Sequence, residues 1–206
     1  MRAADLDAVT LDAHGTLVRL VDPVDGLVGL LAERGIERSP EVVRTGFRTE
    51  AAHYGPRAGE GFDEASLTVL RRECAAVFLE AVDARLDTAE FAPVYAGAFR
   101  FQVLPGVVES LERLQALGLE LAVVANWDFS LRERLEKVGL LHFFGVVVHA
   151  ARKPAPDGIV RALEQVHVST ERALHVGDDE ADEHAARAAG VRFAAAPLAT
   201  LVGRLR

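Results

Sequence analysis

The sequence predicts an α/β protein: a doubly wound parallel sheet with a helical domain inserted after its first strand. Two observations predict this class. Short apolar runs alternate with amphipathic helical patterns from about residue 104 onwards, which is typical of βαβ units. Residues 18–103, by contrast, show helical patterns without convincing strand alternation. We therefore expect a core of residues 1–17 and 104–206, and an inserted helical domain of residues 18–103.

The first predicted strand covers residues 6–11 and ends at Asp12. Its residues are mostly apolar or β-branched, and a Gly15-Thr16 pair follows that turns the chain sharply. In open α/β sheets, ligands bind at the carboxyl edge of the strands. Asp12 is therefore a candidate functional carboxylate, although an aspartate that merely begins a turn gives the same local pattern.

The inserted domain is predicted to contain helices with apolar residues at helical spacing. We expect these helices near residues 24–31, 42–51, 67–81 and 91–99. The single cysteine, Cys74, lies on the apolar face of the third helix. One cysteine excludes an internal disulfide and a multi-cysteine metal site, and its apolar context favours a packed thiol over a nucleophile.

The rest of the chain is predicted to alternate helix and strand. The expected helices lie at residues 107–117, 131–138, 159–166 and 184–189, and the expected strands at residues 119–124, 145–148, 173–176 and 191–195. Right-handed crossovers place all carboxyl ends of a parallel sheet at one edge. Asp12, Asn126, Lys153 and Asp178 each follow a predicted strand, so we expect them to meet at that edge.

The composition is that of an ordinary globular protein with an acidic balance. The chain has 206 residues, with 23 Lys and Arg against 31 Asp and Glu, which gives a formal net charge of −8. It contains no dense basic run, so we do not expect nucleic acid as a partner. No apolar stretch is long enough to span a bilayer, and acidic residues follow the N-terminus closely. We therefore expect a cytoplasmic protein without a membrane partner.

The acidic residues at the predicted edge favour a metal site. Asp12 and Asp178, with Asp179 and Asp182 close to the latter, would repel one another unless a cation lay among them. Carboxylate oxygens suit a hard divalent ion, most simply Mg²⁺. Lys153 adds a positive charge that could orient an aspartate and hold an anionic substrate oxygen. An acidic helix start and a solvated lysine are the structural alternatives.

Taken together, these residues resemble the motifs of the haloacid dehalogenase-like hydrolase superfamily. Residues 12–17, Asp-Ala-His-Gly-Thr-Leu, are similar to its first motif, and Asn126 falls at the second. Lys153-Pro154 matches the third motif, and residues 177–182 match the fourth. The resemblance covers the whole chain in the right order and implies a Rossmann-like core. The segment 18–103 is similar to the α-helical cap of subfamily I, and the opening of the chain resembles the branch related to rhythmically expressed gene 2 proteins.

The resemblance implies a mechanism and a set of roles. Asp12 would be the nucleophile and would form a covalent aspartyl intermediate that water then hydrolyses. In the phosphatases of the superfamily, Mg²⁺ is held at positions that correspond here to Asp12, the main-chain carbonyl of His14, and Asp178. Asp182 would join the coordination or hold metal-bound water. Lys153 would act in catalysis and in binding the substrate.

Two residues depart from the phosphatase pattern. His14 stands where most of these phosphatases have a second aspartate, which protonates the leaving oxygen and later activates water. An imidazole can do both near neutral pH, so His14 either keeps this catalytic role or merely fills the space. Ala125 stands where a serine or threonine usually binds phosphate, and the loss removes one hydrogen bond. We expect Asn126 and Lys153 to bind the substrate.

The function expected from this resemblance is Mg²⁺-dependent hydrolysis of a small phosphorylated metabolite. A metal-independent 2-haloacid dehalogenase is the second candidate, since those relatives also lack the second aspartate and begin with a similar Asp-Ala-Tyr-Gly-Thr motif. The Gly-Asp-Asp at residues 177–179 argues against it. A weakly active relative that serves as a binding module is the third. The sequence identifies neither the substrate nor the oligomeric state, which we expect to be a monomer or a homodimer.

Overall fold

A five-stranded sheet, a short two-stranded sheet and two sets of helices form the computed structural model, which describes residues 3–204. The strands are β1 Ala8–Leu11, β2 Val18–Leu20, β3 Phe101–Val103, β4 Glu120–Val124, β5 Val146–Val148, β6 Ala173–Gly177 and β7 Arg192–Ala195. The helices are α1 Val24–Ala32, α2 Pro40–Tyr54, α3 Glu64–Ala81, α4 Thr88–Ala98, α5 Val107–Ala116, α6 Leu131–Lys137, α7 Asp157–Gln165, α8 Glu180–Ala188 and α9 Leu198–Arg204. By its contacts the chain divides into a core unit, Met1–Arg19 with Phe101–Arg206, and a helical unit, Leu20–Arg100.

The sheet of the core unit is parallel and has the strand order β5-β4-β1-β6-β7. The strand β1 lies at its centre, and all four of its residues are buried. In register, Leu11 pairs with Val123 on one side and with Val176 on the other. Asp12 therefore follows β1 at the level where the neighbouring strands also end, which places the loops after these strands at one edge.

Alternate residues of the strands face two different helix layers. One apolar cluster joins Val9 and Leu11 of β1 to α5, α6 and α9. The other joins Ala8 of β1 and Ala173 of β6 to α7 and α8. Helices thus cover both faces of a parallel sheet, and the predicted α/β class with a doubly wound sheet is confirmed.

The helical unit is built from α1 to α4 around its own apolar cluster. Leu27, Val43, Phe78 and Tyr95 each come from a different helix and are fully buried in this cluster. Cys74 is also buried, and burial raises the pKa of its thiol. The residue is a packed thiol rather than a reactive one.

The sequence patterns predict helices throughout residues 18–103, but the structure also has two short strands in this segment. The short strands β2 and β3 pair with each other where the chain leaves the core and returns to it. The backbone N–H of Val21 donates to the carbonyl of Arg100, and that of Leu104 donates to the carbonyl of Leu17, both at 2.9 Å. A strand of three residues is too short to show alternation in a sequence, which explains why the patterns missed both.

The C-terminal helix α9 was also missed by the sequence patterns. It packs against the core through Leu198, Leu201 and Val202, which belong to the same apolar cluster as α5. Among the described residues, no helix combines the length and the apolar character that crossing a membrane requires.

Candidate active site

Asp12 lies directly after β1, with 7% of its surface exposed. Its backbone N–H donates to the carbonyl of Val176 at 2.9 Å, which fixes the start of the loop. One carboxylate oxygen, Oδ1, lies 2.5 Å from Nζ of Lys153. Burial raises the pKa of Asp12 to about 7, against the opposing effect of Lys153 and with a further contribution from the Asp182 charge. Asp12 is therefore a buried carboxylate whose ionisation depends on nearby positive charge.

Hydrogen bonds hold both the side chain and the backbone of Lys153 in place. Its ammonium donates to Asp12 and to Asp182, and 3% of its side chain is exposed. Burial alone would lower the pKa of Lys153, but the two carboxylates outweigh it and raise the pKa above its usual value. Its backbone is bonded to Asn126, whose Nδ2 donates to the carbonyl of Lys153 at 2.8 Å and whose Oδ1 accepts from its N–H at 2.7 Å. Asn126 thus positions the loop that presents Lys153, and its expected contact with substrate stays a prediction.

Asp182 is 1% exposed and is surrounded by donors. Its Oδ1 accepts from Lys153 and from Nε2 of His175, the latter at 3.2 Å. Its Oδ2 accepts from the backbone N–H of Asp178 at 3.1 Å. Burial would raise the pKa of Asp182, but the bonds from His175 and Lys153 hold it well below the usual range. Asp182 is therefore a fully hydrogen-bonded, ionised carboxylate.

The chain approaches Asp182 closely at Gly177. A Cβ atom at this position would lie 2.1 Å from Cγ of Asp182, so the space exists because residue 177 is glycine. Asp182 also stands in the first turn of α8, where it forms a capping box with Asp179. The Asp179 side chain accepts from the N–H of Asp182 at 2.9 Å. These contacts fix the loop after β6 against the start of α8.

Asp12, Asp178 and Asp182 form a carboxylate cluster. One oxygen of each lies within 4.8 Å of the others, and Asp178 is exposed. Burial and then the charges of Asp182 and Asp179 raise the pKa of Asp178. Three carboxylates so close together suit a hard divalent cation, because its charge offsets their repulsion and its preferred ligands are oxygens.

The loop that contains His14 lies against this cluster. Gly15 has a φ of +83°, and a Cβ there would lie 2.0 Å from Oδ2 of Asp178. The backbone next to His14 therefore reaches the Asp178 carboxylate directly. The His14 side chain is exposed, and its charge acts to lower the pKa of Asp178. Asp12, His14, Lys153, Asp178 and Asp182 are thus brought to one edge of the sheet.

Two buried residues beneath this site, Thr10 and His175, were not among the residues predicted from the sequence. Both are 0% exposed, and they pair side by side in the register of β1 and β6. Oγ1 of Thr10 lies 2.8 Å from Nδ1 of His175. The ring of His175 contacts Asp182 on its other side, and burial lowers the pKa of the imidazole. A polar residue within the buried strand Ala-Leu-His-Val-Gly was the pattern that could have revealed it.

Trp127 and Ala125, which flank Asn126, are both buried and belong to the core. Trp127 packs on Phe101 with ring centroids 4.9 Å apart. The backbone N–H of Ala125 donates to the carbonyl of Val148 at 3.0 Å, which joins this loop to the neighbouring strand. The loop after β4 therefore contributes its main chain and Asn126 to the edge of the sheet, while its apolar side chains pack below.

Known proteins resemble the chain over most of its length. It is 29% identical over 200 residues to haloacid dehalogenase-like hydrolase domain-containing protein 3 of Xenopus laevis, covering 90% of this chain and 82% of the relative. It is 28% identical to a phosphoglycolate phosphatase of Pseudomonas syringae pv. tomato, covering 91% of this chain. The chain spans about two thirds of that relative's length, 65%.

Solved structures share the fold. The L-2-haloacid dehalogenase of Xanthobacter autotrophicus, with chloropropionic acid covalently bound, superposes with a TM-score of 0.64 at 23% identity, covering 91% of this chain and 76% of that one. A HAD phosphatase of Thermococcus onnurineus superposes with a TM-score of 0.54 at 21% identity, covering 91% and 85%.

The sequence profile of one family, described as haloacid dehalogenase-like hydrolase, matches residues 82–196. This match spans more than half of the 206 residues and includes Asn126, Lys153, Asp178 and Asp182. The fold described above agrees with it. The chain therefore belongs to the haloacid dehalogenase-like hydrolase family.

Proposed function

We propose that this hydrolase is a Mg²⁺-dependent phosphatase that acts on a small phosphate ester. The observation that supports this most directly is the setting of Asp12. On one side its carboxylate is paired with the buried ammonium of Lys153, and on the other it belongs to the cluster with Asp178 and Asp182. Relatives described as phosphoglycolate phosphatases favour the same class of reaction.

The charge balance of the cluster fits a divalent cation. When ionised, Asp12, Asp178 and Asp182 contribute three negative charges and Lys153 one positive charge, so the group has a net charge of −2. Asp12, Asp178 and the main-chain carbonyl of His14 are the ligands we propose for Mg²⁺. When bound, the ion supplies positive charge that keeps the carboxylates ionised and stabilises charge on a phosphoryl group. Asp182 also belongs to the cluster, but its oxygens already accept hydrogen bonds from the protein.

Asp12 is the proposed nucleophile. One of its carboxylate oxygens attacks phosphorus, the bond from phosphorus to the leaving oxygen breaks, and an aspartyl phosphate forms on Asp12. Water then attacks the phosphorus, releases inorganic phosphate and regenerates the carboxylate. Lys153 favours the ionised form of Asp12 and directs it toward the substrate, and its ammonium binds a phosphoryl oxygen. Positive charge is needed here because burial raises the pKa of Asp12 to about 7 even with Lys153 beside it.

His14 is the proposed source of the proton for the leaving oxygen. Its side chain is exposed at the edge where Asp12 and Asp178 lie. An alkoxide leaving group must receive a proton from an acid that works near neutral pH, and an imidazole can act as this acid. His14→Asp should preserve or raise phosphatase activity, while His14→Ala should lower it for alkyl phosphates more than for aryl phosphates, which leave without protonation. Equal losses for both substrate types would contradict the role in proton transfer.

The primary experiment measures hydrolysis of p-nitrophenyl phosphate with Mg²⁺ and with EDTA. The wild-type protein should turn over only with Mg²⁺, and Asp12→Asn should abolish turnover while keeping the fold, as judged by circular dichroism. Glu164→Gln, an exposed change on α7, is the control for removing an acidic charge. Undiminished activity in Asp12→Asn would refute the proposal.

Dehalogenation is a second candidate because residue 14 is not an aspartate. A halide leaves as an anion and needs no proton, so histidine at this position is compatible with that reaction. The carboxylate cluster argues against it, because three acidic groups are unfavourable in a site that binds an anionic haloacid without a metal. Release of halide from 2-chloropropionate, unaffected by EDTA and lost in Asp12→Asn, would favour this candidate.

A further inference from the structure

We propose that Thr10 and His175 are positioning residues that orient Asp182 and, through it, Lys153. The inference rests on the proposed function, in which Lys153 directs Asp12. It concerns two residues inside the sheet, both fully buried and without a place in the proposed chemistry.

A continuous line of polar contacts connects these residues to the nucleophile. Oγ1 of Thr10 lies 2.8 Å from Nδ1 of His175, and Nε2 of His175 lies 3.2 Å from Oδ1 of Asp182. The same Oδ1 accepts from Lys153, whose ammonium also lies 2.5 Å from Oδ1 of Asp12. Thr10 lies on β1 and Asp12 directly follows that strand, so the line begins and ends beside β1.

The chemistry of the partners determines how the protons are arranged. The ionised carboxylate of Asp182 only accepts hydrogen bonds, so Nε2 of His175 must present its hydrogen toward it. In the neutral imidazole, Nδ1 is then an acceptor, and the hydroxyl of Thr10 must donate to it. The hydroxyl therefore selects the Nε2–H tautomer and fixes the angle of the ring. Without it, the proton could move to Nδ1 and leave an Nε2 lone pair facing the carboxylate.

The position of Asp182 matters because the ammonium of Lys153 is bonded to it and would move with it. Four protein groups determine where its two oxygens lie: Lys153 and His175 at Oδ1, and the N–H groups of Asp178 and Asp179 at Oδ2. If the His175 bond is lost, Oδ1 is free to move with the ammonium of Lys153, away from Asp12. A displacement of about 1 Å in a catalytic group can lower a rate by as much as about 100-fold.

Matched variants separate positioning from packing. His175→Gln can still donate to Asp182, whereas His175→Leu cannot; Thr10→Ser keeps the hydroxyl, whereas Thr10→Val replaces it with a methyl group. We expect His175→Leu and Thr10→Val to lower kcat for p-nitrophenyl phosphate by about 10-fold or more with little change in KM. His175→Gln and Thr10→Ser should recover most of that loss. If His175→Gln and His175→Leu lower kcat equally, and in proportion to the loss in Tm, these side chains contribute to packing and not to positioning.

A spectroscopic measurement tests the arrangement independently of turnover. The ¹⁵N resonances of the His175 ring should show the Nε2–H tautomer in the wild type, and Thr10→Val should increase the Nδ1–H form. A wild-type ring in the Nδ1–H form would overturn the inference. A wild type that hydrolyses no aryl phosphate would refute the proposed function instead, and the tautomer would still decide whether Thr10 and His175 orient Asp182.

Discussion

At the scale of single residues, the site depends on one ammonium between two buried carboxylates. Lys153 pairs with Asp12 and Asp182, and 3% of its side chain is exposed. Burying charges is costly, and the cost is offset only when each charge has a close partner and its remaining donors or acceptors are satisfied. Lys153 therefore contributes both to the stability of this edge of the sheet and to the ionisation of Asp12.

Removal of the ammonium should therefore affect both properties. We expect Lys153→Met to abolish turnover and to lower the free energy of unfolding by about 3–5 kcal/mol, because two buried carboxylates lose their partner. Urea denaturation measures the second effect. The control is Lys137→Met, which removes an exposed ion pair with Glu133 and should cost less than about 1 kcal/mol. Equal costs for the two variants would show that the buried pairing contributes no stability.

The pKa of Asp12 predicts how Mg²⁺ affinity depends on pH. Without a cation the carboxyl has a pKa of about 7, so below that pH it binds a proton that Mg²⁺ must displace. Affinity measured by calorimetry should rise with pH, by roughly tenfold per unit well below 7, and level off above it. His14→Gln, which removes the neighbouring imidazole, is the control and should keep the same midpoint. An affinity that is constant between pH 5.5 and 8 would contradict the prediction.

At the scale of elements, short loops after β1 and β6 bring the acidic groups together. The loop after β1 turns at Gly15 and lies against Asp178, and Gly177, the last residue of β6, leaves room for Asp182. In both places an aspartate side chain occupies the space that a Cβ of the glycine would need. The two glycines therefore determine how closely the main chain and the carboxylates approach.

Gly15→Ala should weaken Mg²⁺ binding in addition to straining the backbone. Its φ of +83° makes alanine unfavourable by about 1–2 kcal/mol, and its Cβ would also overlap the Asp178 carboxylate. Gly35→Ala is the matched control, since φ there is +73° and a Cβ would meet nothing within 4 Å. We expect both to lower Tm, but only Gly15→Ala to weaken Mg²⁺ binding in calorimetry. Unchanged Mg²⁺ affinity in Gly15→Ala would show that the Asp178 carboxylate can move aside without loss.

The sequence allowed the major elements to be predicted, but not all of their contacts. The core strands were predictable because their buried, β-branched runs end at polar residues, as at Asp12 and Asp178. The strands β2 and β3 were not, because three residues show no periodicity. The site was predictable as a set of carboxylates and a lysine at one edge. The hydrogen bonds of His175 were not, since they depend on strand register and on α8, and neither is visible as a local pattern.

At the scale of the whole molecule, the chain is two units with separate apolar centres. The clusters of the core unit are formed by residues before 20 and after 100, and the cluster of the helical unit by residues 24–99. The assignment of the helical unit as a cap stays a prediction, as do the cytoplasmic location and the monomeric or dimeric state. Because each unit has its own apolar cluster, each can be tested for independent folding.

The core unit should fold without the helical unit. The backbone N–H of Val21 bonds to the carbonyl of Arg100, so the two ends of the helical unit are adjacent and a short glycine-serine link can replace the segment between them. We expect this shortened chain to unfold cooperatively and to give dispersed amide resonances in NMR, because its apolar clusters remain complete. A collapsed spectrum would show that the core unit requires the inserted residues for its stability.

The bonds from Asn126 to Lys153 have a consequence for redesign. Asn126 contacts the carbonyl and the N–H of residue 153 and not its side chain. Asn126 therefore holds the two peptide groups on either side of residue 153 through main-chain atoms that every amino acid except proline supplies. A different basic side chain at position 153, such as a shorter amine or an imidazole, should therefore leave the main chain of the loop unchanged, while the loss of the Lys153 ion pairs lowers the stability of the site. The fold thus separates the placement of this position from the chemistry performed there.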